Sequence, residues 1–111
     1  MEEALLQLVV KVLEGNKSEN VVFLDTSLFP TIFDGMVVAS ADNPRHSQAL
    51  SRHLIKELKD NKYQIIGVEG ESEGNWILVD IGDIVVHIMV DEMREQYSLE
   101  DLWRKKPDSQ S

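Results

Sequence analysis

Asp80 and Asp83 flank Gly82, His87 follows, and Asp25 closes an apolar run far earlier in the chain. Carboxylates at strand ends with a histidine nearby could hold Mg²⁺ or another divalent ion. Asp is also a common turn residue, because its side chain accepts hydrogen bonds from nearby backbone amides, and that is the commoner use. Arg45 and His46 open a helical stretch, where an anion could meet free backbone amides and an imidazole could move a proton; a solvated first turn is the plainer reading. His53 falls on an apolar stripe and reads as a partly buried core histidine. The segment EGESEG has glycines but no GxGxxG spacing and no following GK[ST], and its acids would repel a phosphate. Its glutamates suit a basic partner or plain solvent. No GxSxG elbow, HExxH pair or EF-hand loop occurs, and there is no cysteine. Disulfides, thiolate zinc sites, iron–sulfur clusters and cysteine nucleophiles are thereby excluded.

These residues sit in a chain of 111 amino acids with 11 Lys+Arg, 20 Asp+Glu and a formal net charge of −9. That length predicts one domain, burying roughly two-thirds of the extended chain's surface. The charge argues against wide contact with phosphate backbones, which needs Lys and Arg to displace counterions. It favours a basic partner. Aromatics are 6% of residues and are not interleaved with basic ones, so a base-stacking platform is not indicated. The N-terminus starts acidic, unlike a signal peptide, and the longest apolar runs are strand-sized. The Asn16-Lys17-Ser18 glycosylation match reads as coincidence without a secretory signal. The expected compartment is the cytoplasm, or an organelle matrix after loss of a transit peptide.

The elements that must position these residues follow from periodicity. Ala4, Leu5, Leu8, Val9, Val12 and Leu13 predict a helix over 2–14, ended by Gly15 and Asn16. Val21 to Asp25 and Met36 to Ala41 are strand-like, separated by the loop SLFPTIFDG. Asn43 and Pro44 open a second helix, whose stripe of Ala49, Leu50, His53, Leu54 and Leu58 runs to about Lys59. Tyr63 to Val68 predicts a third strand, and Trp76 to Ile81 with Ile84 to Met89 predict a hairpin turning at Gly82-Asp83. Asp91 can cap a helix over 92–97. Ser98 and Asp101 form an approximate capping box for a last turn with Leu102 and Trp103. Residues 105–111 are a polar tail, expected to be disordered. The order α-β-β-α-β-β-β-α implies an α/β fold, a single domain with a mixed β-sheet and flanking helices.

Alternation in the hairpin puts Ile77, Val79, Ile81, Ile84, Val86 and Ile88 on one face, expected under the helices. The other face carries Trp76, Leu78, Asp80, Val85, His87 and Met89. It is either a partly exposed protein-binding patch or core under further helices.

The run Glu69-Gly70 … Trp76-Ile77-Leu78-Val79-Asp80-Ile81-Gly82-Asp83 … Val86-His87-Ile88-Met89, followed by REQYSLEDLW, resembles the signature half of the Iojap/RsfS family of ribosomal silencing factors. The leading helix, VVFLD, Asp34 and Arg45-His46 agree, so the similarity covers about residues 2–104. Pro44 stands where the family commonly has a small residue before Arg-His. The resemblance implies a nucleotidyltransferase-like fold over residues 1–104 without transferase activity, and the Gly-Ser element such transferases use is missing here. It implies no cofactor and no metal. It implies binding to the large ribosomal subunit through its ribosomal protein fourteen. That contact would sterically block subunit joining and repress translation when nutrients are scarce. It also implies a part in large-subunit maturation in organelles. Carried onto this chain, the partner-binding residues are Trp76 as anchor, Leu78, His87 and Met89 as apolar patch, and Glu69, Asp80 and Asp83 as acidic contacts. Arg94, Tyr97, Leu102 and Trp103 would extend the surface, with Tyr97 and Trp103 alternatively packing on the core. A homodimer through a sheet edge or helix fits the size, and the apolar segment TSLFPTIFDG either packs locally or forms part of such a contact. Two other functions stay open. One is a metal-dependent nucleotidyl or phosphoryl enzyme using Asp25, Asp80 and Asp83, and the other is an interaction module for a different basic protein.

Overall fold

The computed structural model describes residues 3–28 and 33–97. Within them the elements are α1 (Glu3–Gly15), β1 (Glu19–Asp25), β2 (Gly35–Ala41), α2 (Pro44–Asp60), β3 (Gly67–Glu69), β4 (Trp76–Asp80), β5 (Ile84–Val90) and α3 (Asp91–Tyr97). This is the expected order. The strands form one mixed sheet, β1-β2-β5-β4-β3, in which only β2 and β5 run parallel. Those two central strands are buried along their whole length. A strand covered on both faces needs apolar or small residues at every position, which is why GMVVASA and IVVHIMV lack strict alternation.

α1 and α2 lie on one face, which we call inner. Leu5, Val9 and Leu13 of α1 and Leu50, Leu54 and Leu58 of α2 pack there against Ile77, Val79, Val86 and Ile88. The aliphatic face of the hairpin is therefore under helices, as the alternation predicts. At ~25 cal/mol per Å² of apolar area, each such fully buried Leu or Ile contributes roughly 1.5–3 kcal/mol.

Three expectations need correction. α1 runs to Gly15 as expected, but the left-handed residue that closes it is neither Gly15 nor Asn16. Lys17 takes the left-handed conformation at φ 71°, and Ser18 N–H donates to the Leu13 carbonyl at 3.0 Å. α2 ends identically, with Lys62 at φ 68° and Tyr63 N–H donating to Leu58 O at 2.9 Å. Both are Schellman closures with lysine where glycine is usual. Second, His53 is exposed. The buried stripe of α2 is Ser47, Leu50, Ser51, Leu54 and Leu58, so it is rotated toward the serines and away from Ala49 and His53. Third, the strand expected over Tyr63 to Val68 shrinks to Gly67–Glu69. Gly67 already stands opposite Asp80, where β4 ends, so residues before it have no strand to pair with. A single bond survives there, Ile66 N–H to Asp80 O at 2.8 Å. The predicted last turn with Leu102 and Trp103, the polar tail and residues 29–32 lie outside the described residues.

Candidate partner-binding face

The outer face of the sheet is organised by its register. Glu69, Leu78, His87, Val38 and Val22 stand opposite one another in one row across β3, β4, β5, β2 and β1. Trp76, Met89 and Ser40 form the next row, and Gly67, Asp80, Val85 and Met36 the row toward the hairpin turn. Opposed residues share a face. The residues expected to meet a partner thus converge, with Asp83 at the hairpin tip and Arg94 on α3.

Among the described residues one helix covers this face. The seven residues of α3 pack on β5 and β2, over a small cluster of Leu24, Met36, Val38 and Met89 with Met93 and Trp76 against it. The β4–β3 side of the face has no helix over it among the described residues. Trp76, Leu78 and Asp80 are accordingly half-buried, whereas Val85, His87 and Met89 beside them on β5 are buried. Of the two readings of this face, each holds for part of it: core under α3, open surface beyond it. Met89, at 0% exposure, supports Trp76 from below and has no surface to offer a partner.

Trp76 is tightly held. Its indole Nε1–H donates to His87 Nδ1 at 2.9 Å, and the Tyr97 ring lies 5.0 Å away at 49°. Burial pushes the His87 imidazole down to about 4, so near neutral pH it is uncharged and its Nδ1 is free to accept. Tyr97, at 49% exposure, belongs to the surface. The preceding loop sets Trp76 in place through Gly70, at φ 85°. A Cβ on Gly70 would stand 2.2 Å from the Trp76 carbonyl oxygen, so only glycine fits.

The rim is acidic. Glu69, Glu71, Glu73 and Asp83 are exposed. Asp80 spends one oxygen on the Gly82 N–H at 2.9 Å, shaping the Gly82-Asp83 turn. Through its backbone, the Asp83 carbonyl accepts from Asp34 and Gly35 at 2.8 and 3.1 Å, fastening the hairpin tip to β2. Arg94 points inward: its guanidinium donates to Asn20 O and to Ser40 Oγ, pinning α3 over the sheet. The sequence offered no signal for that clasp, since neither Asn20 nor Ser40 lies near Arg94 in the chain.

The carboxylates do not assemble as a metal site. Asp25 and Asp80 occupy the same end of the sheet but are three strand spacings apart, about 14 Å. Ligands of one Mg²⁺ or Ca²⁺ stand within about 2.6 Å of it. Asp25 instead accepts from the Ser27 hydroxyl and backbone N–H, bonds that hold its carboxyl below the usual range. At the start of α2, Asn43 Oδ1 already accepts the His46 N–H at 2.9 Å, and the Asn43 carbonyl takes the Ser47 N–H at 3.0 Å. The amides an anion would need are largely spent. His46 is a connector: its Nδ1 accepts from Asp42 N–H and its Nε2–H donates to Asn16 O, both at 3.0 Å.

A family model described as "RsfS: Ribosomal silencing factor during starvation" matches residues 1–111. The chain is 38% identical over 101 residues to a ribosomal silencing factor of Chromobacterium violaceum, covering 91% of this chain and 83% of that protein. Identity to the Haemophilus influenzae ribosomal silencing factor is 35%, covering 90% of this chain and 98% of that one. A mouse protein named for mitochondrial assembly of the ribosomal large subunit is 29% identical, with 88% of this chain matching 44% of its length. A Chromobacterium violaceum crystal structure superposes with a TM-score of 0.90 at 38% identity, covering 97% of this chain and 92% of that one. One from Bacillus halodurans gives 0.82 at 31% identity, covering 92% and 95%.

Proposed function

We propose a function from one premise: the chain belongs to the RsfS family of ribosomal silencing factors. It docks on the large ribosomal subunit with the open part of its outer sheet face, on a basic ribosomal protein, number fourteen of that subunit. It thereby occupies a surface the small subunit needs for joining. The block is steric, and the chain carries out no reaction. It works where ribosomes are, in the cytoplasm as the simplest compartment, and a homodimer through a sheet edge or a helix is compatible with this role.

The observation that supports this most is the half-covered outer face. Trp76 and Leu78 stand partly open beside α3, framed by Glu69, Glu71, Glu73 and Asp83. Interface energy concentrates in a few large, rigid residues such as Trp, surrounded by contacts that exclude water. An acidic rim suits a basic protein and steers its encounter. It would repel bare RNA, in keeping with a net charge of −9. The name of the mouse relative points to the large subunit in the same direction. No observation favours the enzyme reading, because the carboxylates it needs are separated.

The test is sedimentation with separated ribosomal subunits. Leu78→Asp places a charge on the half-open patch without opening the core and should weaken large-subunit binding at least tenfold with the fold intact by circular dichroism. Wild-type affinity in that variant would remove this face from the interface.

A further inference from the structure

His87 was expected to touch a partner, yet it is 7% exposed and sits in a strand buried along its whole length. Among the described residues its side chain hydrogen-bonds to Trp76, at 2.9 Å. The chemistry of that bond is one-directional. An indole has a donor and no nitrogen acceptor, so the imidazole nitrogen facing it must carry a lone pair. The acceptor therefore stands on the central, most constrained part of the sheet, while the donor belongs to a half-open ring at the start of β4. The two rings lie 5.9 Å apart at 54°, a tilted arrangement in which the bond fixes how the indole is turned.

We propose that His87 is a positioning residue: its Nδ1 holds the Trp76 indole in the orientation the docking partner meets, so that the anchor is ordered before binding. This rests on the docking reading above. A side chain ordered in advance gives up less freedom on association, an effect of about two- to tenfold in affinity. Tyr97 limits the ring from another side, through contact alone. Only His87 supplies the indole with a specific acceptor among the hydrogen bonds of the described residues.

Two nearly isosteric variants of the full chain separate the hydrogen bond from the packing. His87→Asn keeps an oxygen close to the Nδ1 position, and His87→Leu removes it. The Trp76 indole N–H is followed by NMR in the free protein, assigned with Trp103→Phe, and large-subunit affinity is measured beside it. Slow exchange of the indole proton with water is expected in wild type and in the Asn variant. Fast exchange and two- to tenfold weaker binding are expected in the Leu variant. His87→Phe, which refills the ring volume, replaces the Leu variant should that one fail to fold. An acceptor-free variant with a protected indole proton, or with wild-type affinity, overturns the proposal. Wild-type protein that binds no large subunit sinks the docking reading, while the indole exchange still decides whether His87 holds Trp76.

Discussion

At the residue scale, the surface is built around an aromatic side chain tied to a buried base. His87 is the more informative member of the pair, because its burial has a consequence for stability. Its imidazole titrates at about 4 in the folded chain against an ordinary value of 6.5. As pH falls, the unfolded state takes up the proton first. The stability tied to a neutral His87 is therefore whole above about pH 6.5 and is lost between 6.5 and 4, up to about 3 kcal/mol. His87→Phe should lose that dependence. Urea unfolding at pH 7 and pH 4 should show the variant gaining on wild type by that amount, whereas parallel losses would contradict the assignment. That Trp76 and Leu78 share one face of the sheet was legible from alternation. The depth of Met89 and His87 was not, because alternation gives the face of a strand and not what covers it. The inward turn of Arg94 was illegible for a related reason: its partners come from β1 and β2, and local sequence holds no record of that approach.

At the element scale, existence and order were readable from period and breakers, and the ends were not. Gly15 and Asn16 looked like the stop of α1, yet both helices close on a lysine in the left-handed region. An L side chain there costs roughly 1 kcal/mol relative to glycine in the folded state. Lys62→Gly should accordingly raise stability by about 0.5–1 kcal/mol, several degrees in melting temperature for a domain of this size. An unchanged or lowered midpoint would mean that the lysine stem packs favourably enough to offset its backbone. The shortening of β3 has a similar origin. Its residues are strand-like, but pairing needs a neighbour, and β4 ends opposite Gly67. α2 misled in a subtler way: two serines lie in its buried stripe and a histidine outside it, so apolar residue type alone rotated the predicted face.

At the scale of the whole molecule, the chain is a two-sided sheet with unequal cover. Among the described residues two helices close the inner face, and a seven-residue helix closes part of the outer one. A rigid sheet presenting a small apolar patch in an acidic frame is sufficient for a steric block and needs no reaction centre. The charge of −9 predicts that docking is steered electrostatically. Raising ionic strength from about 0.05 to 0.3 M should slow association by roughly tenfold and leave dissociation nearly unchanged. A salt-independent association rate would mean that the acidic rim does not face the partner. The central claim is that this chain occupies the large subunit and keeps the small one off. The most direct measurement mixes the protein with separated subunits, raises Mg²⁺ to drive joining, and resolves the products on a sucrose gradient. The account predicts that the protein travels with the large subunit and that joined ribosomes are depleted in proportion to its occupancy. Protein left at the top of the gradient, or bound while joining proceeds undiminished, would contradict it.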